Sequence, residues 1–172
     1  MNGNVFLYYG EELGMKGSGK DENKRAPMYW SKDGNGEGMC KGPADMDDFR
    51  MKFDSLEEQQ EDPDSIYNYV KQVIRVRNQN PVIARGTTAY LEQYSGEQCF
   101  ALTRSYEGSN LLLLGNTSAE AVSVDLTGLT VGGTTAEELV LLGELYTGEE
   151  TAERAGTVVT LPAYSILILG EE

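Results

Sequence analysis

Five apolar residues in a row, Val5-Phe6-Leu7-Tyr8-Tyr9, are closed by Gly10 and followed at once by Glu11 and Glu12. No other stretch limits the fold of this chain as much. A short unbroken apolar run with a glycine behind it reads as a strand covered on both faces, which is the habit of parallel sheets flanked by helices. Carboxylates directly after it would stand at the C-terminal end of the strand, where barrels of parallel strands carry their active sites. Such a strand takes its hydrogen bonds and its cover from neighbours. Only four residues precede it, so the neighbours on its N-terminal side are expected to lie outside the chain.

A long irregular segment follows, roughly Lys16 to Asp54, rich in Gly, Lys, Asp and Asn. Loops of this length are usually functional or disordered, and low apolar content makes this one the segment expected to be most mobile. Ser55-Leu56-Glu57-Glu58 has the spacing of a capping box and predicts a short helix that stops before Pro63. Asp62-Pro63-Asp64 predicts the start of a second helix, with Asp as cap and Pro at the first helical position. Ile66, Tyr69, Val70, Val73 and Ile74 form one apolar stripe on it, and Asn80-Pro81 ends it.

From Gly86 onward the pattern becomes short alternating strands with turn signals at Glu107-Gly108, Gly132-Gly133, Thr147-Gly148 and Pro162. The expected strands are 88–94, 98–106, 110–116, 121–126, 138–142, 143–146, 156–161 and 164–169. Their spacing predicts an antiparallel sandwich. The fold class expected is therefore mainly β: an antiparallel β-sandwich over residues 86–172, preceded by one strand, a long loop and helices over residues 1–85.

Three stretches carry a resemblance. Phe6-Leu7-Tyr8-Tyr9-Gly10-Glu11-Glu12-Leu13-Gly14-Met15 resembles the segment around the eighth barrel strand of the α-amylase family of glycoside hydrolases. Asp21-Glu22-Asn23-Lys24-Arg25-Ala26-Pro27-Met28-Tyr29-Trp30 resembles that family's D-x-x-x-R-x-P-M-x-W loop. Asp62-Pro63-Asp64-Ser65 through Arg77 resembles its entry into the last barrel helix. The resemblance implies that residues 1–85 are the terminal strand, loop and helices of a truncated (β/α)8 barrel, and that residues 86–172 are the C-terminal β-domain. It also places the family's three essential carboxylates after the fourth, fifth and seventh strands, outside this chain.

Charge narrows the partners. Residues 1–86 hold 12 basic and 15 acidic side chains, whereas residues 87–172 hold two basic ones, Arg104 and Arg154, against 13 acidic. A half so poor in cations cannot neutralise phosphates, so no nucleic-acid partner is expected. No apolar run approaches the ~18–20 residues that cross a bilayer, so no membrane partner is expected either. The chain has no histidine, which removes Ser-His and Cys-His catalysis and every His-containing metal site. Cys40 and Cys99 lack a paired spacing and read as free thiols.

Glu11 and Glu12 are adjacent, so on a strand they point to opposite sides. Carboxylates that cleave glycosides must face each other across roughly 5–9.5 Å. Both are therefore read as structural, and no catalytic residue is expected in this chain. By resemblance, Asp21 and Arg25 contact sugar hydroxyls at a minus subsite of the intact parent protein. The chemistry suits them, since a carboxylate accepts and a guanidinium donates several directional bonds. By resemblance, Trp30 is read as a core residue or as an anchor that pins its loop to the barrel. Asp33-Gly34-Asn35-Gly36-Glu37 and Asp45, Asp47 and Asp48 resemble oxygen ligands but lack the twelve-position Ca²⁺ loop. No cofactor is expected, although the resemblance allows Ca²⁺ in the parent.

The function expected is that of a C-terminal portion of an α-glucan-cleaving hydrolase, scaffold and cleft wall, with an α-glucan oligosaccharide as the parent's partner. The alternative is a stand-alone carbohydrate-binding sandwich, which needs a row of exposed rings drawn from Tyr90, Tyr94, Phe100, Tyr106, Tyr146 and Tyr164. An open apolar strand at Val5–Tyr9 also predicts self-association. Bond preference, chain-length preference and compartment are not written in these residues.

Overall fold

The helix predicted from the Ile66–Ile74 stripe forms, and antiparallel strands follow it, in a computed structural model that describes residues 4–34 and 37–171. Contacts divide the chain within helix α3 (Ile66–Gln79) into a unit Asn4–Lys71 and a second unit that begins at Gln72.

Local signals organise the first unit. Helix α1 (Asp21–Lys24) is a single turn, and α2 (Leu56–Glu61) starts on the capping box. Ser55 Oγ accepts from the Glu58 N–H, and the Ser55 N–H donates back to Glu58 Oε2 at 3.2 Å. The two preceding N–H groups of that turn donate to the carbonyls of Tyr29 (2.9 Å) and Trp30 (3.1 Å), so the exposed helix end is satisfied by the loop it follows. Buried Gln59 then joins three segments. Its amide donates to the carbonyls of Leu13 (3.0 Å) and Asp54 (2.7 Å), and its side-chain oxygen accepts from the Tyr67 N–H at 3.1 Å.

Two expectations in this unit are corrected. Val5–Tyr9 forms no strand: residues 4–8 are irregular and the chain turns at Tyr9-Gly10. A strand exists only through a ladder with a neighbour, and among the described residues nothing pairs with this run. Its side chains stay open, Phe6 at 88% and Val5 at 72% exposure. The second correction is the start of α3. Asp62 directs its carboxylate to the Asp64 N–H (3.0 Å), and the helix begins at Ile66, where Ser65 Oγ accepts from the Asn68 N–H at 3.2 Å. The cap is thus Ser65. After Asn80 the chain does not leave the helix for good; α4 (Pro81–Arg85) opens with Pro81 in its first turn, where its missing N–H is harmless.

Beyond α4 the second unit is built of strands, and every strand pair described in it is antiparallel. One sheet has five strands in the order β1 (Thr87–Tyr90), β2 (Cys99–Tyr106), β3 (Ser109–Asn116), β10 (Ile166–Gly170), β7 (Val140–Leu145). A second has three, β4 (Val122–Asp125), β9 (Val158–Leu161), β8 (Glu153–Ala155), and β5 (Thr130–Val131) pairs with β6 (Thr134–Thr135). The β2–β3 hairpin turns on Glu107 (φ 51°) and Gly108 (φ 87°), both left-handed, the turn whose twist matches paired strands. Ala101, Leu112, Leu114, Leu167 and Leu169 pack from the large sheet against Val124, Val159 and Leu161 of the small one.

The opposite face of the large sheet is also covered. Leu111, Leu113, Ile166 and Ile168 meet Val76 of α3 and Val82 and Ile83 of α4. This explains why β3 reads Leu111-Leu112-Leu113-Leu114 without alternation: both of its faces are buried. Several strand boundaries move as well. Residues 92–94 form a 3₁₀ turn, and Gly156 (φ 63°) belongs to the β8–β9 turn. The two strands expected over 138–146 are one, β7, in which Leu142 is the extra residue of a bulge between Leu141 opposite Leu169 and Gly143 opposite Ile168.

Candidate functional site

Asp21 and Arg25 stand at the two ends of the one-turn helix α1, four residues apart and therefore on the same side. Arg25 Nη2 lies 3.2 Å from Asp21 Oδ2 and 3.8 Å from Glu22 Oε1. Both partners of the closer pair are well exposed, and an ion pair in that setting contributes about 0–1 kcal/mol. Its groups are therefore free to exchange one another for a ligand at little cost.

The pair borders a concavity of about 450 Å³ built wholly within the first unit. Tyr8 and Tyr9 form another wall, their ring centroids 4.8 Å apart at 40°. The Tyr9 hydroxyl donates to the Ala26 carbonyl at 3.0 Å, tying the aromatic wall to the segment that follows α1. Partial burial, and then the neighbouring Tyr8, raise the Tyr9 phenol above its usual pKa. Aromatic faces beside a carboxylate and a guanidinium make a surface suited to a polyhydroxylated ring, apolar on its faces and polar at its rim.

Beneath α1 the buried Asn23 anchors the helix. Its amide nitrogen donates to the Ser18 carbonyl (2.9 Å) and to Asp47 Oδ2 (2.8 Å), and its oxygen accepts from the Asp47 N–H (2.9 Å). Lys20 Nζ reaches the other Asp47 oxygen at 2.7 Å. These contacts hold the Asp47 carboxyl below its ordinary pKa, first through Lys20 and then through Asn23. Sequence reasoning placed Asp47 in an acidic ligand cluster and passed over Asn23. The one uncharged residue in the otherwise charged run Asp21–Arg25 was the available signal.

Glu11 and Glu12 lie in a 3₁₀ turn, Glu11–Leu13, bracketed by Gly10 and Gly14. Glu11 Oε2 accepts from the Tyr8 N–H at 3.0 Å, a local structural bond. One oxygen of Glu12 is buried and lacks a partner among the described residues. Trp30 is 40% exposed, so it is not a core residue, and its backbone carbonyl accepts from the Glu57 N–H at 3.1 Å. Asn35 and Gly36 of the Asp33–Glu37 stretch lie outside the described residues.

Of the six rings considered for a carbohydrate-binding sandwich, Tyr94 is buried and Phe100, Tyr106 and Tyr146 are half-buried. Tyr90 and Tyr164 are exposed, one on β1 and one in the turn before β10. Two separate rings do not make a row.

The profile of a family described as alpha amylase, catalytic domain, matches residues 1–86. Alpha-amylase 3 of Dictyoglomus thermophilum is 32% identical over 81 residues, 47% of this chain and 16% of its own length. An alpha-amylase of Streptomyces lividans is 27% identical over 97% of this chain and 17% of its own length. Among solved structures, Eubacterium rectale Amy13B superposes with a TM-score of 0.91 at 41% identity, over 100% of this chain and 32% of that one. The alpha-amylase from H. orenii superposes with a TM-score of 0.72 at 28% identity, over 99% of this chain and 33% of that one. The chain thus spans a third or less of the proteins it matches.

Proposed function

Because the chain belongs to the α-amylase family, we propose that it is the C-terminal portion of a glycoside hydrolase that cleaves α-glucans, supplying scaffold and one wall of the substrate cleft. The observation that carries this reading is the concavity between the Tyr8–Tyr9 rings and the Asp21–Arg25 pair. Asp21 accepts from sugar hydroxyls and Arg25 donates to them, while the rings cover an apolar sugar face. Neither residue reacts. No facing carboxylate pair is formed by Glu11 and Glu12, so the bond-breaking groups of a retaining mechanism come from elsewhere in the parent protein.

The open side chains agree. Val5, Phe6 and Leu7 are each more than half exposed, and Ile74 on the α3 stripe is 45% exposed. Residues of this kind normally sit inside. In this reading the missing cover is the remainder of the barrel, and in the isolated chain it is a second copy.

Kinetics of the complete protein test the proposal. Asp21→Ala and Arg25→Ala each raise KM for a maltooligosaccharide by about tenfold, with kcat less affected, as expected for contacts made before the transition state. Unchanged KM in both variants removes the subsite. Turnover of an activated α-glucoside by the pure 172-residue chain, abolished by Glu11→Gln, overturns the assignment of chemistry to residues outside it.

A further inference from the structure

We infer that Asp47 is a positioning residue for α-glucan binding: through Asn23 and Lys20 it holds the α1 turn so that Asp21 and Arg25 face the concavity together. The inference rests on the proposed subsite and names what keeps it in shape.

The physical need is plain. A four-residue helix contains about one turn and is not stable by itself, because nucleation costs more than a few hydrogen bonds return. Lys20 gives α1 no side-chain cap. Within the turn, Asn23 N–H donates to the Lys20 carbonyl and Arg25 N–H to that of Glu22, at 3.2 and 3.1 Å. The few local bonds of a single turn cannot hold two exposed charged side chains in one arrangement. The order must come from outside the turn.

Asp47, 24 positions along the chain from Asn23, supplies it. Three bonds converge there: Asn23 Nδ2 to Asp47 Oδ2, Asp47 N–H to Asn23 Oδ1, and Lys20 Nζ to Asp47 Oδ1. The first two form a reciprocal pair that fixes both position and orientation, as one bond could not. Asn23 is buried, so leaving its amide unpaired is costly and the alternatives to this arrangement are few. Gly17 allows the close approach: a Cβ there would lie 3.0 Å from the Asn23 carbonyl oxygen. The carboxylate does not border the concavity, so its influence on a ligand passes through the turn.

The experiment has two arms. In the complete protein, Asp47→Ala raises KM for a maltooligosaccharide by about three- to tenfold and changes kcat by less than about twofold, matching the direction of Asp21→Ala. Asp47→Asn keeps the reciprocal pair with Asn23 but loses the Lys20 ion pair, so its KM lies between those of the wild type and Asp47→Ala. In the 172-residue chain, Asp47→Ala speeds amide exchange at Asn23 and Arg25 while exchange in the β3 and β10 strands is unchanged. A raised KM in Asp21→Ala with an unchanged KM in Asp47→Ala overturns this inference and leaves the subsite standing. Unchanged KM in both overturns the subsite and the positioning role with it. Unchanged exchange at Asn23 and Arg25 in Asp47→Ala shows that the turn is held by other means and overturns the inference directly.

Discussion

The guanidinium of Arg104 donates to the main-chain carbonyl of Ile83 at 2.6 Å, joining the sheet to the helix that covers it. The same side chain, 2% exposed, reaches the Val82 carbonyl at 3.4 Å and donates to the Thr88 hydroxyl. Burial, and then the nearby Arg77, lower its pKa from the usual arginine value. Arg104→Ala should destabilise the second unit by about 2–4 kcal/mol, since charge-assisted bonds to buried carbonyls are lost together. Arg104→Lys should recover only part, because one ammonium cannot span the fork of acceptors. Urea unfolding midpoints of the three proteins provide the check.

A shortened chain starting at Gln72 should be more stable than one starting at Gly86. The later start strips Val76, Val82 and Ile83 from Leu111, Leu113, Ile166 and Ile168, and leaves Arg104 without its carbonyls. Each apolar side chain returned to water forfeits up to about 1.5–3 kcal/mol. Circular dichroism melts of the two forms compare them; equal melting temperatures would show that the helical cover contributes nothing.

Gly115→Ala tests the packing of Phe100 on its cross-strand partner. The two are directly opposite in the β2–β3 ladder, and a Cβ on Gly115 would fall 2.1 Å from the Phe100 ring. The ring must move off its rotamer, at about 1–3 kcal/mol. Phe100→Leu in the same background should relieve much of that cost, a coupling that a double-mutant cycle measures.

The Tyr146 hydroxyl predicts alkaline sensitivity. It donates to Glu144 Oε2 at 2.5 Å and accepts from the Ala152 N–H at 3.1 Å. Burial, and then the bond to Glu144, push its pKa up to about 12 from 10.0. The folded state therefore holds the phenol proton more tightly than the unfolded chain does. That contribution is constant below about pH 10 and is lost as pH rises toward 12. Stability of the wild type should fall faster than that of Tyr146→Phe between pH 9.5 and 11, by about the same amount in urea and thermal unfolding; parallel decline would place the phenol in solvent.

The exposed run Val5–Leu7 predicts that the isolated chain pairs with a second copy. Phe6 at 88% exposure is the outermost of these side chains. Sedimentation equilibrium at micromolar concentration should show a dimer, and Phe6→Asp should shift it to monomer. A wild-type monomer at those concentrations refutes the pairing.

Local chemistry was readable from the residues themselves. Ser55 and Glu58 are three apart and cap one another whatever surrounds them, and Glu107-Gly108 sets a two-residue hairpin because its backbone angles suit nothing else as well. The β-sandwich class followed from alternation and turn spacing for the same reason. Three features were decided only by the tertiary structure. Val5–Tyr9 carries a strand's composition, yet a strand is a relation between two segments and this run has no partner among the described residues. Nothing along the chain marks Arg104 as buried; α4 supplies the two carbonyls that its guanidinium meets. Asn23 and Asp47 meet across a loop whose composition specifies no path. In each case the deciding energy belongs to a contact between distant positions, and a pattern read along the chain carries no term for it.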